Sequence, residues 1–277
     1  MNAREVGLRA LAAVAALLAA GGTASYVGLV SSPTAAVPWI ATLTILCAAA
    51  LVLVSLPAGE RRWAALAGVG GFAAELLGVH FHFPFGVDYR YTDRLALQVA
   101  SVPVALAGCW VILLCYAREM AAGVAGSPWS GVVVQAAWMM AIDLVLDPVA
   151  TRVMGLWEWG AGGAWYGVPL NNFAWWFAVS LCLAAVQRPP AGANRWVAGT
   201  GLGTVAFFTA IALGRGMRGA AAVGLALVGL HALVRGRLNR LRATPEACRS
   251  AGNMPRAPRA SPLRRIGARS RRPDAAP

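Results

Sequence analysis

The sequence predicts an all-α protein, a polytopic transmembrane helix bundle of about eight spans (seven on the lower count) with a disordered C-terminal tail. Three observations carry that expectation. Of the 277 residues, 58% are hydrophobic and only 13% charged, too few charges to cover a soluble domain of this size. No residue from Ala10 to Gly59 is charged, which leaves room for two spans of roughly 20 residues joined at Ser31-Ser32-Pro33. The net charge of +13 sits mostly at the end: from Arg235 onward twelve arginines face Glu246 and Asp274, while the rest of the chain sets twelve arginines against nine acids.

Apolar runs and their breakers give helices near 10–30, 37–56, 63–80, 99–117, 129–149, 170–187, 196–213 and 219–234. Arg4 and Arg9 ahead of an alanine–leucine run also fit a signal peptide, but further spans follow at once, and a retained first helix is the preferred reading. The last two spans are short, which suggests tilt or an interfacial position. The chain therefore divides into a helical domain, residues 1–234, and a tail, residues 235–277. Arginine, proline and small residues in that tail cannot build a core. Even parity puts both termini on one side, and the arginines argue for the cytoplasmic face of the cell membrane, where the tail would act as an orientation signal or meet anionic headgroups. No aromatic residue interrupts the tail to stack on bases, which speaks against nucleic acid.

Cys47, Cys109, Cys115, Cys182 and Cys248 are scattered, with no C-x-x-C pair and no histidines at metal spacing, so neither a disulfide framework nor a zinc site is expected. Lysine is absent. No solenoid period and no paired broken helices stand out, which leaves an inverted-repeat transporter without support.

The connections after the third and fifth helices must lie on the same face of the membrane. That gathers Glu75, the segment HFHFPFGVDYRYTDR, Asp143, Asp147, Trp157, Glu158, Asn171 and Asn172 at one end of the bundle, with Glu75 and Asp143 within about 10 Å of the surface. Asp143 and Asp147 are four residues apart and face one way on a helix. Charged carboxylates in a membrane cost several kcal/mol and usually face a cavity or a partner. The plainer alternative has Asp147 ending its helix before Pro148 while Asp143 pairs with an arginine such as Arg152. Glu75 shares a stripe with Gly68, Gly71 and Gly78, which directs it to the protein interior, either as a packing hydrogen bond or as a chemical group.

His80 and His82 read as ordinary loop residues before ligands or bases, and His231 as interfacial. Most of the eleven tryptophans fit an aromatic belt. Trp157, Trp159, Phe83 and Phe85, however, flank the acids, and aromatic faces stabilise cations. One of Asn171 and Asn172 is expected to N-cap the sixth helix. Gln135, two turns before Asp143 and offset by roughly 80°, would line the same cavity.

Two stretches, ELLGVHFHFPFGVDYRYT (residues 75–92) and DLVLDPVATRVMGLWEWGAGGAWYGVPLNNFAWW (residues 143–176), carry a resemblance. They are similar to the two signature regions of the multi-pass carotenoid biosynthesis proteins that include carotenoid 1,2-hydratases and bisanhydrobacterioruberin hydratase. The likeness runs over roughly residues 60–190. The second stretch is the more specific, with an Asp pair, Gly-Leu-Trp, Tyr-Gly-x-Pro-Leu and Asn-Phe in fixed order. Small polar residues stand in the family where this chain has His80-Phe81-His82, so the histidines receive no shared task.

The resemblance implies addition of water to the terminal 1,2 double bond of an acyclic or monocyclic carotenoid, giving a tertiary alcohol. Asp143, Asp147 and Glu75 would be the catalytic carboxyls. Phe83, Phe85, Trp157, Trp159, Tyr166, Asn171, Asn172 and Gln135 would line the substrate site. Protonating an alkene needs an undissociated acid, and two carboxyls sharing an apolar place are the usual way to keep one. No cofactor or metal is needed. The rivals are a membrane prenyltransferase, which needs magnesium ligands and a basic clamp for diphosphate, and a non-catalytic carotenoid-binding protein or transporter using the acids as a relay or packing network.

Overall fold

The structure, a computed structural model, describes residues 2–30, 38–83, 86–187, 190 and 192–252, with residues 241–252 described by their backbone alone. Among the described residues eight helices follow the apolar runs: α1 (Ala3–Tyr26), α2 (Pro38–Ser55), α3 (Ala58–Phe81), α4 (Ala105–Ala122), α5 (Pro128–Val149), α6 (Leu170–Ala185), α7 (Arg195–Gly214) and α8 (Arg218–Gly252). Seven are long and apolar enough to cross a membrane; α6, at 16 residues, is the short one. Short strands fill the connections: β1 (Tyr89–Tyr91), β2 (Gln98–Val99), β3 (Val102–Pro103) and β4 (Trp157–Trp159).

Polar side chains start several helices. Asn2 accepts from the Glu5 N–H at 2.9 Å to open α1, and Asn194 accepts from Trp196 N–H at the same distance to open α7. Ser127 and Ser130 close a reciprocal box at the start of α5, with Pro128 at its first turn.

Within residues 1–238, one of the two compact units into which the chain divides, α4 is the hub. It is almost wholly buried and packs against α2, α3, α5 and α7. Close packing there depends on missing side chains. At Gly71 of α3 a Cβ would collide with the Trp110 indole, and at Gly201 of α7 with the Tyr116 ring. The first of these approaches seats Trp110 beneath Glu75 and confirms the inward stripe of Gly68, Gly71, Glu75 and Gly78, all buried.

Four details differ from the sequence expectations. First, α5 does not fray at Pro148. It continues into a π-helical turn, Ala150–Met154, that closes at Gly155 with φ +63°. Proline has no N–H, so the carbonyl of Leu144 loses its usual partner, and the Trp165 indole N–H supplies one at 2.8 Å. Asp147 is consequently buried inside a continuous helix. Second, α6 is capped by Pro169 and by neither asparagine; Asn171 and Asn172 stand in its first turn. Third, α8 runs on to Gly252 where the tail was expected to begin at 235, because the sequence LVRGRLNRLRA keeps helix-favouring leucine and arginine. The rest of the expected tail, residues 253–277, lies outside the described residues. Fourth, His231 is thereby mid-helix and buried, with its Nδ1 3.0 Å from the Tyr116 hydroxyl.

Candidate functional site

The connections after α3 and α5 meet, as their parity requires. β1 pairs antiparallel with β4 in the register Tyr89↔Trp159, Arg90↔Glu158, Tyr91↔Trp157. Side chains alternate along a strand, so this ribbon has two unlike faces. Outward, exposed Arg90 and Glu158 form an ion pair at 2.6 Å. Inward, Tyr89, Tyr91, Trp157 and Trp159 pack edge to face or tilted, with ring centroids 5.0–5.8 Å apart. All four aim their polar hydrogens at the acids. Both phenol hydroxyls donate to Glu75 Oε2 at 2.8 Å. The indole N–H groups of Trp157 and Trp159 donate to Asp147 Oδ1 at 2.9 and 3.2 Å. Burial first, and then the charge of Glu75, hold the Tyr89 and Tyr91 phenols far above their ordinary range, so they remain donors at any physiological pH.

Asp143 and Asp147 share one partner. The Nδ2 of Asn172, projecting from the first turn of α6, donates to Asp143 Oδ2 and to Asp147 Oδ2, each at 2.8 Å. Trp110 Nε1 completes the shell of Glu75 by donating to Oε1 at 3.2 Å, and its ring stacks on Trp176 at 4.7 Å. Of the six oxygens on the three buried acids, five accept these bonds, and Asp143 Oδ1 alone is buried without a partner among the described residues. Every donor is a neutral N–H or O–H. The sequence alternative of an Asp143–arginine pair is not what forms; Arg152 lies instead beside Gly167.

A cavity of about 690 Å³ adjoins the cluster, bounded by α1, α2, α4 and α7 and closed at this end by Trp157 and Trp176. Its walls are largely alanine, glycine, leucine and isoleucine. The three carboxyls stand behind its tryptophan wall.

Not every expected residue is part of this arrangement. Asp143, Asp147, Glu75, Trp157, Trp159 and Asn172 come together. Gln135 does not: its side chain bonds the Leu114 carbonyl and Gln187, because eight residues carry it about 12 Å down α5 from Asp143. Tyr166, held at φ +53°, accepts from the Gly219 N–H at 2.8 Å and so spends its hydroxyl on fastening the start of α8. Asn171 is exposed beside Gly86. Phe83 is exposed and packs on Trp175, while Phe85 lies outside the described residues. His80 sits in the last turn of α3 with Nε2 3.0 Å from the Ala100 carbonyl. It steadies the β2–β3 hairpin, whose turn residues Ala100 and Ser101 both take positive φ. His82 ends α3 and pairs with Asp88 at 2.8 Å.

The sequence reading missed Tyr89, Tyr91, Trp110 and Trp176. The signal for the tyrosines was present, since YRY and WEW both alternate aromatic with charged residues near the acids, and they pair with each other.

The fold and site define a polytopic helical membrane protein with a buried, aromatic-walled carboxyl cluster at one rim and a long apolar cavity beside it. The chain belongs to the carotenoid biosynthesis protein family, whose model matches residues 39–231. No curated protein and no solved structure matches it.

Proposed function

We propose that this protein is a carotenoid hydratase, adding water across the terminal 1,2 double bond of an acyclic carotenoid end group. The observation that carries the reading is the Asp143–Asn172–Asp147 bridge: two fully buried carboxyls held by one amide, with Asp143 Oδ1 left open. Two carboxylates this close repel in an apolar setting, and holding one proton between them relieves the repulsion.

Asp143 Oδ1 is the atom suited to carry that proton to the less substituted alkene carbon. The positive charge then develops on the tertiary carbon, beside indole and phenol faces that stabilise cations. Water adds its oxygen there and returns a proton to the carboxylate, so the acid is regenerated and the product is the alkene plus one water. Tyr89, Tyr91, Trp110, Trp157 and Trp159 position the acids, and no sidechain donor in the cluster carries a charge of its own. The arginine-rich C-terminal sequence supports a reading in which both termini face the cytoplasm and the site lies toward the opposite face of the membrane.

A second reading, a non-catalytic carotenoid-binding protein, draws on the fact that Trp157 and Trp176, not the carboxyls, form the cavity wall. The two separate on one experiment. Purified protein in detergent, incubated with an acyclic carotenoid, yields a product heavier by one water if it is a hydratase and returns the carotenoid unchanged if it is a binder. Magnesium-dependent consumption of a prenyl diphosphate would instead favour the prenyltransferase alternative.

A further inference from the structure

The cavity is longer than an end group needs. Along α1 its lining runs from Arg9 to Tyr26, about 25 Å at the helical rise, which approaches the roughly 30 Å of a hydrocarbon core. Ala12, Ala15, Ala19 and Gly22 recur on that face at helical spacing, so the trough is cut by the absence of side-chain volume. One end is the indole wall of the carboxyl site. At the other end the chemistry changes: Arg9 and Arg195 both line the cavity and converge on one oxygen of Glu5, Arg9 through Nε at 3.0 Å and Arg195 through Nη2. The Arg195 guanidinium also lies over the Trp196 ring, 4.9 Å from its centroid.

A guanidinium carries five N–H donors, and Glu5 takes one from each arginine. A hydrocarbon terminus reaching this end meets a hydrated, cationic rim, whereas a hydroxyl meets donors. We propose that the Arg9–Arg195 end of the cavity is a subsite for an oxygen-bearing far terminus. The slot then holds a rod-like polyene end to end and takes most tightly a molecule whose other end is already hydroxylated. This rests on the carotenoid reading above for the class of ligand, but not on the hydration chemistry.

The test is binding to the full-length protein in lipid nanodiscs, read as quenching of tryptophan emission by the polyene. Two probes are compared: lycopene and its 1-hydroxy derivative. One added hydrogen bond to a charged donor makes the hydroxylated C40 probe bind about tenfold tighter than lycopene. The double variant Arg9→Met/Arg195→Met changes side chains that are 58% and 62% exposed, so the fold survives; it abolishes the preference, so that the two C40 probes bind alike. Equal affinities in the wild type, or a preference that persists in the double variant, overturns the proposal. A preference without any hydrated product sustains the subsite and removes the hydratase reading; a hydrated product without the preference does the reverse.

Discussion

Replacing Asn172 with leucine is the perturbation that bears most directly on how the carboxyl pair is held. Leucine has the heavy-atom count and branching of asparagine, so the buried place stays filled while the amide is lost. With it go two hydrogen bonds of 2.8 Å to Asp143 and Asp147. A hydrogen bond to a charged acceptor contributes about 1.5–3 kcal/mol, and because the pair shares a proton only one of the two is of that kind, so the combined loss is about 3 kcal/mol. Asp147 keeps its two indole donors, whereas Asp143 keeps no donor among the described residues and its carboxyl is no longer held in one orientation. A misplaced proton donor costs about 100-fold in rate. Asn172 does not line the cavity, so substrate affinity is expected to hold. Thermal unfolding in detergent and initial rates at saturating carotenoid measure the two effects separately. Wild-type turnover in a folded Asn172→Leu protein would refute the idea that this amide organises the acids.

The other predictions address the remaining parts of the site. Asp143→Asn and Asp147→Asn each abolish the hydrated product while the protein stays folded by gel filtration; full activity in both variants removes the pair from the mechanism. Trp165→Phe leaves the Leu144 carbonyl above Pro148 without its donor and lowers stability by about 1–3 kcal/mol, measured by chemical denaturation. Ala19→Phe fills the trough beside α1 and weakens carotenoid binding while the carboxyl cluster is untouched, which tryptophan quenching detects. Arg90→Ala removes an exposed pair from the outer face of the ribbon and changes stability by no more than about 1 kcal/mol.

The helices were legible because membrane spans are written in long apolar runs, and each observed helix overlaps its expected span. The gathering of Glu75, Asp143, Asp147, Trp157 and Asn172 was legible for a related reason: parity alone fixes which connections share a rim. What was hidden depends on contacts between distant segments. β1 and β4 are only three residues long and lie some 65 residues apart, so neither announces itself locally. Their alternation of aromatic and charged residues becomes meaningful only once they are paired. Gln135 was misplaced by weighing angular offset above axial rise, and Tyr166 by reading a turn tyrosine as part of a binding wall. The bridging role of Asn172 depends on α6 crossing α5 at the level of both acids, a packing fact with no one-dimensional trace. The π turn after Pro148, with Trp165 completing it, is of the same kind.

The central claim is that a buried carboxyl delivers a proton to an olefin. Turnover of an acyclic carotenoid in deuterated, oxygen-18-labelled water, followed by mass spectrometry, tests it. The expected product carries one carbon-bound deuterium and one labelled hydroxyl, and Asp143→Asn forms neither. A product lacking carbon-bound deuterium, or the same label pattern from the Asp143→Asn variant, would contradict it.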